Sequence, residues 1–218
     1  MPSCGTKIVS FNAETQTATV SLASRRVVFD RAQTENGALQ QAPRIVALFE
    51  RARQEDLRRP VIYREPFLGG GAVMLALIEA WRGRASFVGS DTSAPLVTTW
   101  RCLQHHPGLV LDALEALPMK EGWRGAFPAI RVSVTDPEGS ADQRAAAFIW
   151  LNRAGFNGLW RVNRKGHCNV PPGSYVTVKV PSSDHLRAVS VAIGPTLIVE
   201  KDWRTALEGI GDENFIYL

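Results

Sequence analysis

The sequence predicts an α/β fold built on a parallel sheet, and one stretch of about 30 residues carries this prediction. Residues 61–63 read as a short buried strand, a run of glycines follows, and residues 72–81 have the composition of a helix. A second strand pattern at residues 86–89 ends at Asp91. Strand, turn, helix and strand in this order form a βαβ unit. The crossover helix makes its two strands parallel.

Shorter patterns precede this unit. Alternating and β-branched residues predict three short strands, at residues 7–9, 17–22 and 26–29. An amphipathic helix is predicted where apolar residues recur at helical spacing after Pro43, at Ile45, Leu48, Phe49 and Ala52. These N-terminal strands carry no recognisable chemistry, so residues 1–33 are predicted to be a separate segment of unclear role.

The second half of the chain changes from helical to mixed patterns. Residues 93–154 predict mostly helix, with breaks near Pro107, Pro128 and residues 137–139. The α/β rhythm then returns: Ser183 or Asp184 caps a helix to about Ile193, residues 196–199 form a strand, Asp202 starts a helix, and residues 215–218 form a buried strand. A mostly helical insertion therefore separates two parts of one sheet.

Composition excludes several classes of protein. The chain has 218 residues, 45% of them apolar, and a net charge of +4. Its three cysteines form no Cys-x-x-Cys pair and leave an odd count, which fits a reducing cytoplasm. No apolar run has membrane-spanning length and the N-terminus has no signal-peptide pattern. We therefore expect a cytoplasmic protein with no membrane partner and no bound metal.

The segment from residue 151 to 175 is the most informative part of the chain. Four asparagines and four glycines lie among its cations, and no Asp or Glu occurs between Gln143 and Ser183. Six positive residues fall in this acid-free window: Arg144, Arg153, Arg161, Arg164, Lys165 and Lys179. Arg and Asn match the donors and acceptors of base edges, and surplus cations neutralise phosphates. The pattern predicts a shaped loop or hairpin that contacts double-stranded DNA or another nucleic acid.

The glycine turn after the first strand favours a ligand that contains a nucleotide. Glycines let a ligand approach the backbone, and the following helix N-terminus favours negative groups. Asp91, at the end of the second strand, is well placed to accept hydrogen bonds from ribose hydroxyls. A dehydrogenase fingerprint is disfavoured, because Met74 occupies the slot where that motif needs a small third residue.

Two motifs together identify a resemblance. Residues 65–73 read Glu-Pro-Phe-Leu-Gly-Gly-Gly-Ala-Val and are followed by Ser90-Asp91. Residues 152–163 read Asn-Arg-x-Gly-Phe-Asn-Gly-Leu-x-Arg-x-Asn, and residues 166–173 read Gly-x-x-Asn-Val-Pro-x-Gly. Over about residues 42–218 the chain resembles the DNA adenine methylase (Dam-type) family. The resemblance implies transfer of a methyl group from S-adenosylmethionine to the amino group of adenine in duplex DNA.

The resemblance also implies which residues form the sites. It places the cofactor near six residues: Glu65, Pro66, Phe67, Gly69, Gly71 and Asp91. It places DNA near ten: Asn152, Arg153, Phe156, Asn157, Leu159, Arg161, Asn163, Arg164, Lys165 and Pro171. Within the second set, Arg161 is our candidate for reading guanine, since a bidentate Arg–guanine pair gives about 1–3 kcal/mol of discrimination. Arg164 and Lys165 are the candidates for phosphate contacts.

The sequence departs from the family pattern at two places. The Trp-Ala-Gly-Gly-Lys-like segment of the family reads Thr-Glu-Asn-Gly-Ala here, at residues 34–38. The catalytic Asp-Pro-Pro-Tyr, which follows a strand like residues 215–218, is not in the sequence. We therefore expect a methyltransferase sheet that is incomplete at the C-terminus, little or no methyl transfer by this chain alone, and no catalytic residue within it. A second polypeptide supplying the tetrapeptide is one expectation that follows.

The predicted organisation is a cofactor-binding domain at residues 34–100 and 194–218, with the target-recognition insertion at 101–193. Two other functions stay open. A non-catalytic DNA-binding protein derived from such an enzyme would keep the hairpin. A nicotinamide-dependent enzyme is the third, and the sequence disfavours it.

Three further side chains have two interpretations each. Trp160 either stacks on a base or anchors the hairpin, and Cys168 is expected to pack within the hairpin rather than act as a nucleophile. His105 and His106 are expected at a solvated helix end, because no metal-ligand partners occur at useful spacing.

Overall fold

The computed structural model describes residues 7–12, 17–22, 25–29, 43–47, 61–81, 83–164, 166–211 and 214–218, the first three segments by their backbone. The chain divides into two compact units. One consists of Met1–Thr92 and Pro195–Leu218, and the other of Ser93–Gly194.

Three strands near the N-terminus form an antiparallel sheet. They are β1 (Lys7–Asn12), β2 (Thr17–Leu22) and β3 (Arg25–Phe29), with β2 in the centre. The three strands predicted here are therefore confirmed. Residues 43–47 form a helical segment, α1, where the sequence predicts a helix. The rest of that predicted helix, and the departure at residues 34–38, lie outside the described residues.

A four-stranded parallel sheet organises the first unit. Its strands are β4 (Val61–Glu65), β5 (Ala85–Asp91), β6 (Leu197–Glu200) and β7 (Asn214–Ile216), in the order β6-β5-β4-β7. Every neighbouring pair is parallel. The predicted α/β fold with a parallel sheet is confirmed. Because the strands run the same way, Glu65, Asp91 and Glu200 end three of them at one edge, which is where open α/β sheets bind ligands.

Helix α2 (Ala72–Trp81) follows β4 and covers this sheet with an apolar face. Met74 and Leu77 of α2 and Tyr63 of β4 are fully buried, and each burial contributes roughly 1.5–3 kcal/mol. The Tyr63 ring lies between two others, with centroid distances of 5.9 Å to Phe87 and 6.2 Å to Phe215. The helix predicted at residues 72–81 is thus confirmed, and it packs at the glycine turn.

The second unit is mostly helical and is centred on one helix. Its helices are α3 (Ala94–His105), α4 (Pro107–Glu115), α5 (Trp123–Ser133), α6 (Ala141–Ala154) and α7 (Ser183–Ile193). Helix α6 packs against α3, α4 and α5. Its Trp150 lies 6.2 Å from the Trp123 ring and 5.9 Å from the Phe127 ring, measured between centroids. A capping box between Ser140 and Gln143 fixes the start of α6.

Two of the three predicted helix breaks are confirmed. The chain breaks at His106-Pro107 and between α5 and α6, but Pro128 lies inside α5, so that prediction is wrong. A proline removes one helical hydrogen bond. Here Trp123, Phe127 and Ile130 of the same helix are buried, and their packing holds the helix together across the proline. After β6, Asp202 caps the short helix α8 (Trp203–Ala206), as predicted.

Candidate functional site

The turn after β4 needs glycine at two positions. Gly69 and Gly71 have φ of 48° and 64°, in the left-handed region that other residues rarely adopt. The turn is closed by the Gly71 amide, which donates to the Leu68 carbonyl at 2.7 Å. Leu68 is tied to the next strand through its amide, which donates to the Ser90 carbonyl at 2.9 Å. The backbone at the C-terminal edge of the sheet is therefore held in one conformation.

Asp91 lies against this turn, as the sequence predicts for two parts of one site. Its carboxylate Oδ2 accepts a hydrogen bond from the Gly69 amide at 3.1 Å. Its carbonyl accepts one from the Lys201 amide at 3.1 Å, which links the ends of β5 and β6. A half-buried carboxylate at a strand end can accept several hydrogen bonds at once, so it suits hydroxyl donors of a ligand.

Glu65 makes its contacts inside the protein. It is 4% exposed, the Tyr63 hydroxyl donates to its Oε2 at 2.7 Å, and the Met74 backbone amide also donates to it. Burial raises the pKa of Glu65 to about 8, against the lowering effect of these two hydrogen bonds. Burial also raises the pKa of Tyr63 well above its usual value. The carboxyl group thus joins β4 to the first turn of α2, across the glycine turn.

Two aromatic side chains stand at the same edge of the sheet. Phe67 is 56% exposed, and its ring centroid lies 6.5 Å from that of Trp203, the first residue of α8. The Arg204 guanidinium lies 4.6 Å from the Trp203 centroid. Pro66, by contrast, is buried. Sequence reasoning missed Trp203, although an aromatic residue directly after a capping acid and a strand was a usable signal. This edge offers flat apolar surface next to a carboxylate.

The acid-free segment of the second unit forms a hairpin. We call residues 155–172 the recognition hairpin. Its base is closed by a bridge between Gly155 and Pro172, and its outer part by one between Val162 and Cys168. Between them, the Phe156 amide donates to the Pro171 carbonyl at 2.9 Å. The hairpin predicted from the glycines and prolines is therefore present.

Gly155 at the hairpin base tolerates no side chain. A Cβ there would lie 2.9 Å from the Leu151 carbonyl oxygen and 3.2 Å from Val170 Cγ1. We expect Gly155→Ala to lower the free energy of unfolding by about 1–3 kcal/mol, because backbone must shift. Gly125→Ala is the control: a Cβ at this helical position meets nothing within 4 Å, so it should stabilise by about 0.5–1 kcal/mol. Urea unfolding measures both. Equal stability of Gly155→Ala and the unmodified chain would contradict the claim that a side chain at position 155 meets the backbone.

Most of the residues predicted to contact DNA are exposed. These are Arg153, Phe156, Asn157, Leu159, Arg161, Asn163, Arg164 and Pro171. Asn152 is half-buried, and its Nδ2 donates to the Phe148 carbonyl at 3.1 Å. Lys165 lies outside the described residues. Phe156 is 46% exposed and Leu159 56%, and both lie in the acid-free window from Gln143 to Ser183. The hairpin thus presents apolar and cationic groups together.

Several arginines bind carbonyl groups of the second unit. From α5, Arg124 donates to the Gly173 and Tyr175 carbonyls at 2.8 and 2.9 Å, and Arg131 to the Val170 carbonyl at 3.3 Å. Arg153 donates to the Lys179 carbonyl at 2.8 Å, and Arg144 to the carbonyls of Asp136 and Gly139. Sequence reasoning missed Arg124 and Arg131, which hold the returning arm of the hairpin and the segment after it.

Two further side chains anchor the hairpin. The Trp160 ring is half-buried on Phe148 of α6, with centroids 4.7 Å apart, which favours the anchor interpretation over base stacking. Cys168 is buried and has a free thiol, as expected for a packing residue.

His105 and His106 are exposed around the α3–α4 junction, and His106 Nδ1 lies 3.6 Å from Asp142 Oδ1. Across the described part of the chain, no group of three or more His, Cys, Asp or Glu could hold a metal ion. No helix in that part is long and apolar enough to cross a membrane.

A parallel sheet with a glycine turn at its C-terminal edge, joined in sequence to a helical insertion, defines a Rossmann-like α/β protein. Comparison with known families makes this specific. The family model of D12 class N6 adenine-specific DNA methyltransferases matches residues 40–218, and the chain belongs to this family. The resemblance identified from the two sequence motifs is therefore confirmed.

Individual relatives agree with this assignment. The chain is 31% identical over 163 residues to the type II methyltransferase M.MjaIII of Methanocaldococcus jannaschii, covering 71% of this chain and 56% of the relative. It is 36% identical to the DNA adenine methylase of Haemophilus influenzae, covering 70% and 52%. It is 29% identical to the DNA N-6-adenine-methyltransferase of Escherichia phage P1, covering 70% and 20%. The chain thus spans about half the length of two of these relatives and less of the third.

Proposed function

We propose that this chain serves sequence-specific methylation of adenine in duplex DNA, with S-adenosylmethionine as the methyl donor. The observation that carries the proposal is the recognition hairpin. It presents the Arg161 guanidinium together with exposed Phe156 and Leu159 on a segment without acids. Exposed apolar side chains can insert between bases, while the neighbouring cations bind the phosphates. Family membership supplies the reaction type.

The donor is proposed to bind at the C-terminal edge of the parallel sheet. Asp91 would accept hydrogen bonds from the ribose hydroxyls of the donor, and Phe67 and Trp203 would pack on the donor's adenine ring. The glycine turn would let the donor approach the backbone at Gly69 and Gly71. Glu65 has an indirect role, because its buried carboxyl holds the turn and the start of α2 in place. When bound, the donor supplies an activated methyl group.

DNA is proposed to bind the recognition hairpin and the end of α6 through three kinds of contact. Arg161 would read a guanine through paired hydrogen bonds, with Asn157 and Asn163 as further polar contacts. Phe156, Leu159 and Pro171 would wedge against the bases around a flipped adenine. Asn152 and Arg153 at the end of α6, with Arg164 near the hairpin tip and Lys165 next to it in sequence, would contact the DNA backbone.

The transfer step needs more than these two sites. The amino lone pair of adenine is delocalised into the ring, so acceptors for its hydrogens must steer it toward the methyl group. In the family that the chain resembles, an Asp-Pro-Pro-Tyr tetrapeptide accepts these hydrogens. This tetrapeptide is not among these 218 residues. We propose that these 218 residues supply the donor and DNA sites but not those acceptors. Rapid tritium transfer from the donor to duplex DNA by these residues alone would contradict this part of the proposal.

The same observation favours a second candidate, a DNA-binding protein without catalysis. The two functions differ in one measurable property, the binding of the methyl donor. Isothermal titration with S-adenosylmethionine should give heat if the first function is correct and none if the second is correct.

DNA binding is tested by its dependence on salt. We expect the chain to bind a labelled 20-base-pair duplex more weakly as salt rises from 50 to 200 mM, because phosphate contacts release counterions. Arg164→Ala should reduce the slope of log affinity against log salt by about 1. Arg187→Ala, which removes an exposed cation from α7, is the matched control and should leave the slope unchanged. Fluorescence anisotropy measures all three. Absence of duplex binding even at 50 mM salt would contradict the proposed function.

A further inference from the structure

Arg161 is held in place by a neighbour across the recognition hairpin. Its Nε donates to the side-chain Oδ1 of Asn169 at 2.8 Å, and its Nη2 approaches the Asn169 carbonyl at 3.4 Å. In the opposite direction, the backbone N–H of Asn169 donates to the Arg161 carbonyl at 3.0 Å. The two residues therefore face each other across the two arms through backbone and side chain.

The register of the hairpin fixes this pair. Val162 and Cys168, the next residues toward the tip, form an antiparallel bridge. Along the returning arm Cys168 and Val170 are buried, while Asn169 between them is exposed, which is the alternation expected of an extended arm. Arg161 and Asn169 are both exposed. Asn169 is thereby fixed by the same ladder that positions Arg161.

The hydrogen bonds leave one edge of the guanidinium directed away from Asn169. A guanidinium has five N–H donors in one plane, arranged along its edges. Asn169 occupies the edge formed by Nε and Nη2. Within the described part of the chain, the end formed by the two η nitrogens is left for a ligand, and two parallel donors suit the O6 and N7 acceptors of guanine. Holding a long side chain in advance also reduces the entropy lost on binding.

We infer that Asn169 is a positioning residue for base recognition: it orients Arg161 so that the η nitrogens meet a guanine end-on. The inference rests on the proposed function, because it takes Arg161 as the residue that reads the base. Asn169 acts through Arg161 and makes no base contact of its own. Its effect is therefore confined to the one base pair that Arg161 reads.

The test is selection from a pool of duplexes with a randomised centre, followed by sequencing of the bound fraction. The unmodified chain should enrich guanine at one position, and Arg161→Ala should lose that preference. Asn169→Ala should reduce guanine enrichment at the same position by about five-fold, and at no other, which is the effect of one lost hydrogen bond. Asn169→Asp keeps an acceptor in the same place. It should retain the guanine preference while binding every duplex more weakly.

Each other outcome has a definite meaning. If Asn169→Ala weakens binding to all sequences alike, Asn169 contacts phosphate and the inference is wrong. If it strengthens binding, Asn169 competes with DNA for Arg161, and the inference is also wrong. If Arg161→Ala keeps the guanine preference, Arg161 is not the reader, and the inference falls while DNA recognition stands. If the unmodified chain enriches no sequence, the proposed function and the inference both fail.

Discussion

Asp91→Ala is expected to weaken the binding of S-adenosylmethionine by about 100-fold or more. Two hydrogen bonds from ribose hydroxyls to a carboxylate are together worth about 3 kcal/mol or more, which corresponds to that factor. The substitution also takes away the acceptor of the Gly69 amide, which is 3.1 Å from Oδ2, so the turn loses a constraint. Isothermal titration calorimetry with the donor measures the loss directly.

Asp91→Asn separates the two roles of this side chain. The amide oxygen can still accept from the Gly69 amide, so the turn keeps its shape while the negative charge is lost. We expect donor binding to fall by about 10-fold, between the unmodified chain and Asp91→Ala. Duplex binding should not change in either variant, because the recognition hairpin belongs to the other unit. Donor binding by Asp91→Ala at the strength of the unmodified chain would contradict the assignment of Asp91.

The parts of this site that sequence predicts are those set by local rules. The glycine turn, α2 and the acid at the end of β5 follow from residue order, because a crossover between parallel strands brings their ends to one edge. Gly69 and Asp91 are 22 positions apart, yet they meet through a hydrogen bond. The hairpin likewise follows from glycines and prolines that suit turns and not helices.

The parts that sequence did not predict depend on packing between distant residues. Met74 fills the slot where a dinucleotide fingerprint has a small residue, and the space comes from β5 instead. A Cβ on Gly89 would lie 3.3 Å from Met74 Sδ and 2.9 Å from a methyl of Leu68. The small residue is thus Gly89 on the strand and not a residue of the helix. No pattern of neighbouring residues in the sequence predicts this.

The cations show the same limit of sequence reasoning. The acid-free window contains six positive residues, which suggests a uniform surface for phosphates. Arg144 instead donates to carbonyls, and Arg153 uses its Nε on the Lys179 carbonyl, so part of this charge holds the fold together. Arg124 and Arg131 lie on α5, outside the window, yet they support the returning chain. Which arginine meets phosphate and which meets a carbonyl is decided by the tertiary path of the chain.

Glu65→Gln is expected to remove a loss of stability that the unmodified chain suffers at alkaline pH. The folded-state pKa of Glu65 is raised from 4.5 to about 8, mainly by burial. Between these values the folded protein binds a proton that the unfolded chain releases, so folding is favoured at low pH and this advantage is lost as pH rises through about 8. From pH 6 to pH 9 the loss amounts to about 2–3 kcal/mol.

The measurement is thermal unfolding of both proteins at pH 6 and pH 9. At roughly 2–4 °C per kcal/mol for a chain of this size, Glu65 should contribute a fall of about 5–10 °C in Tm across this range. Gln has the same shape and can accept from the Met74 amide, but it has no charge to bury, so Glu65→Gln should show a fall smaller by that amount. Glu79→Gln, an exposed position on α2, is the control and should keep the pH dependence of the unmodified chain. Identical pH profiles for Glu65→Gln and the unmodified chain would show that Glu65 is ionised in the folded protein, and the buried neutral carboxyl beneath the glycine turn would have to be abandoned.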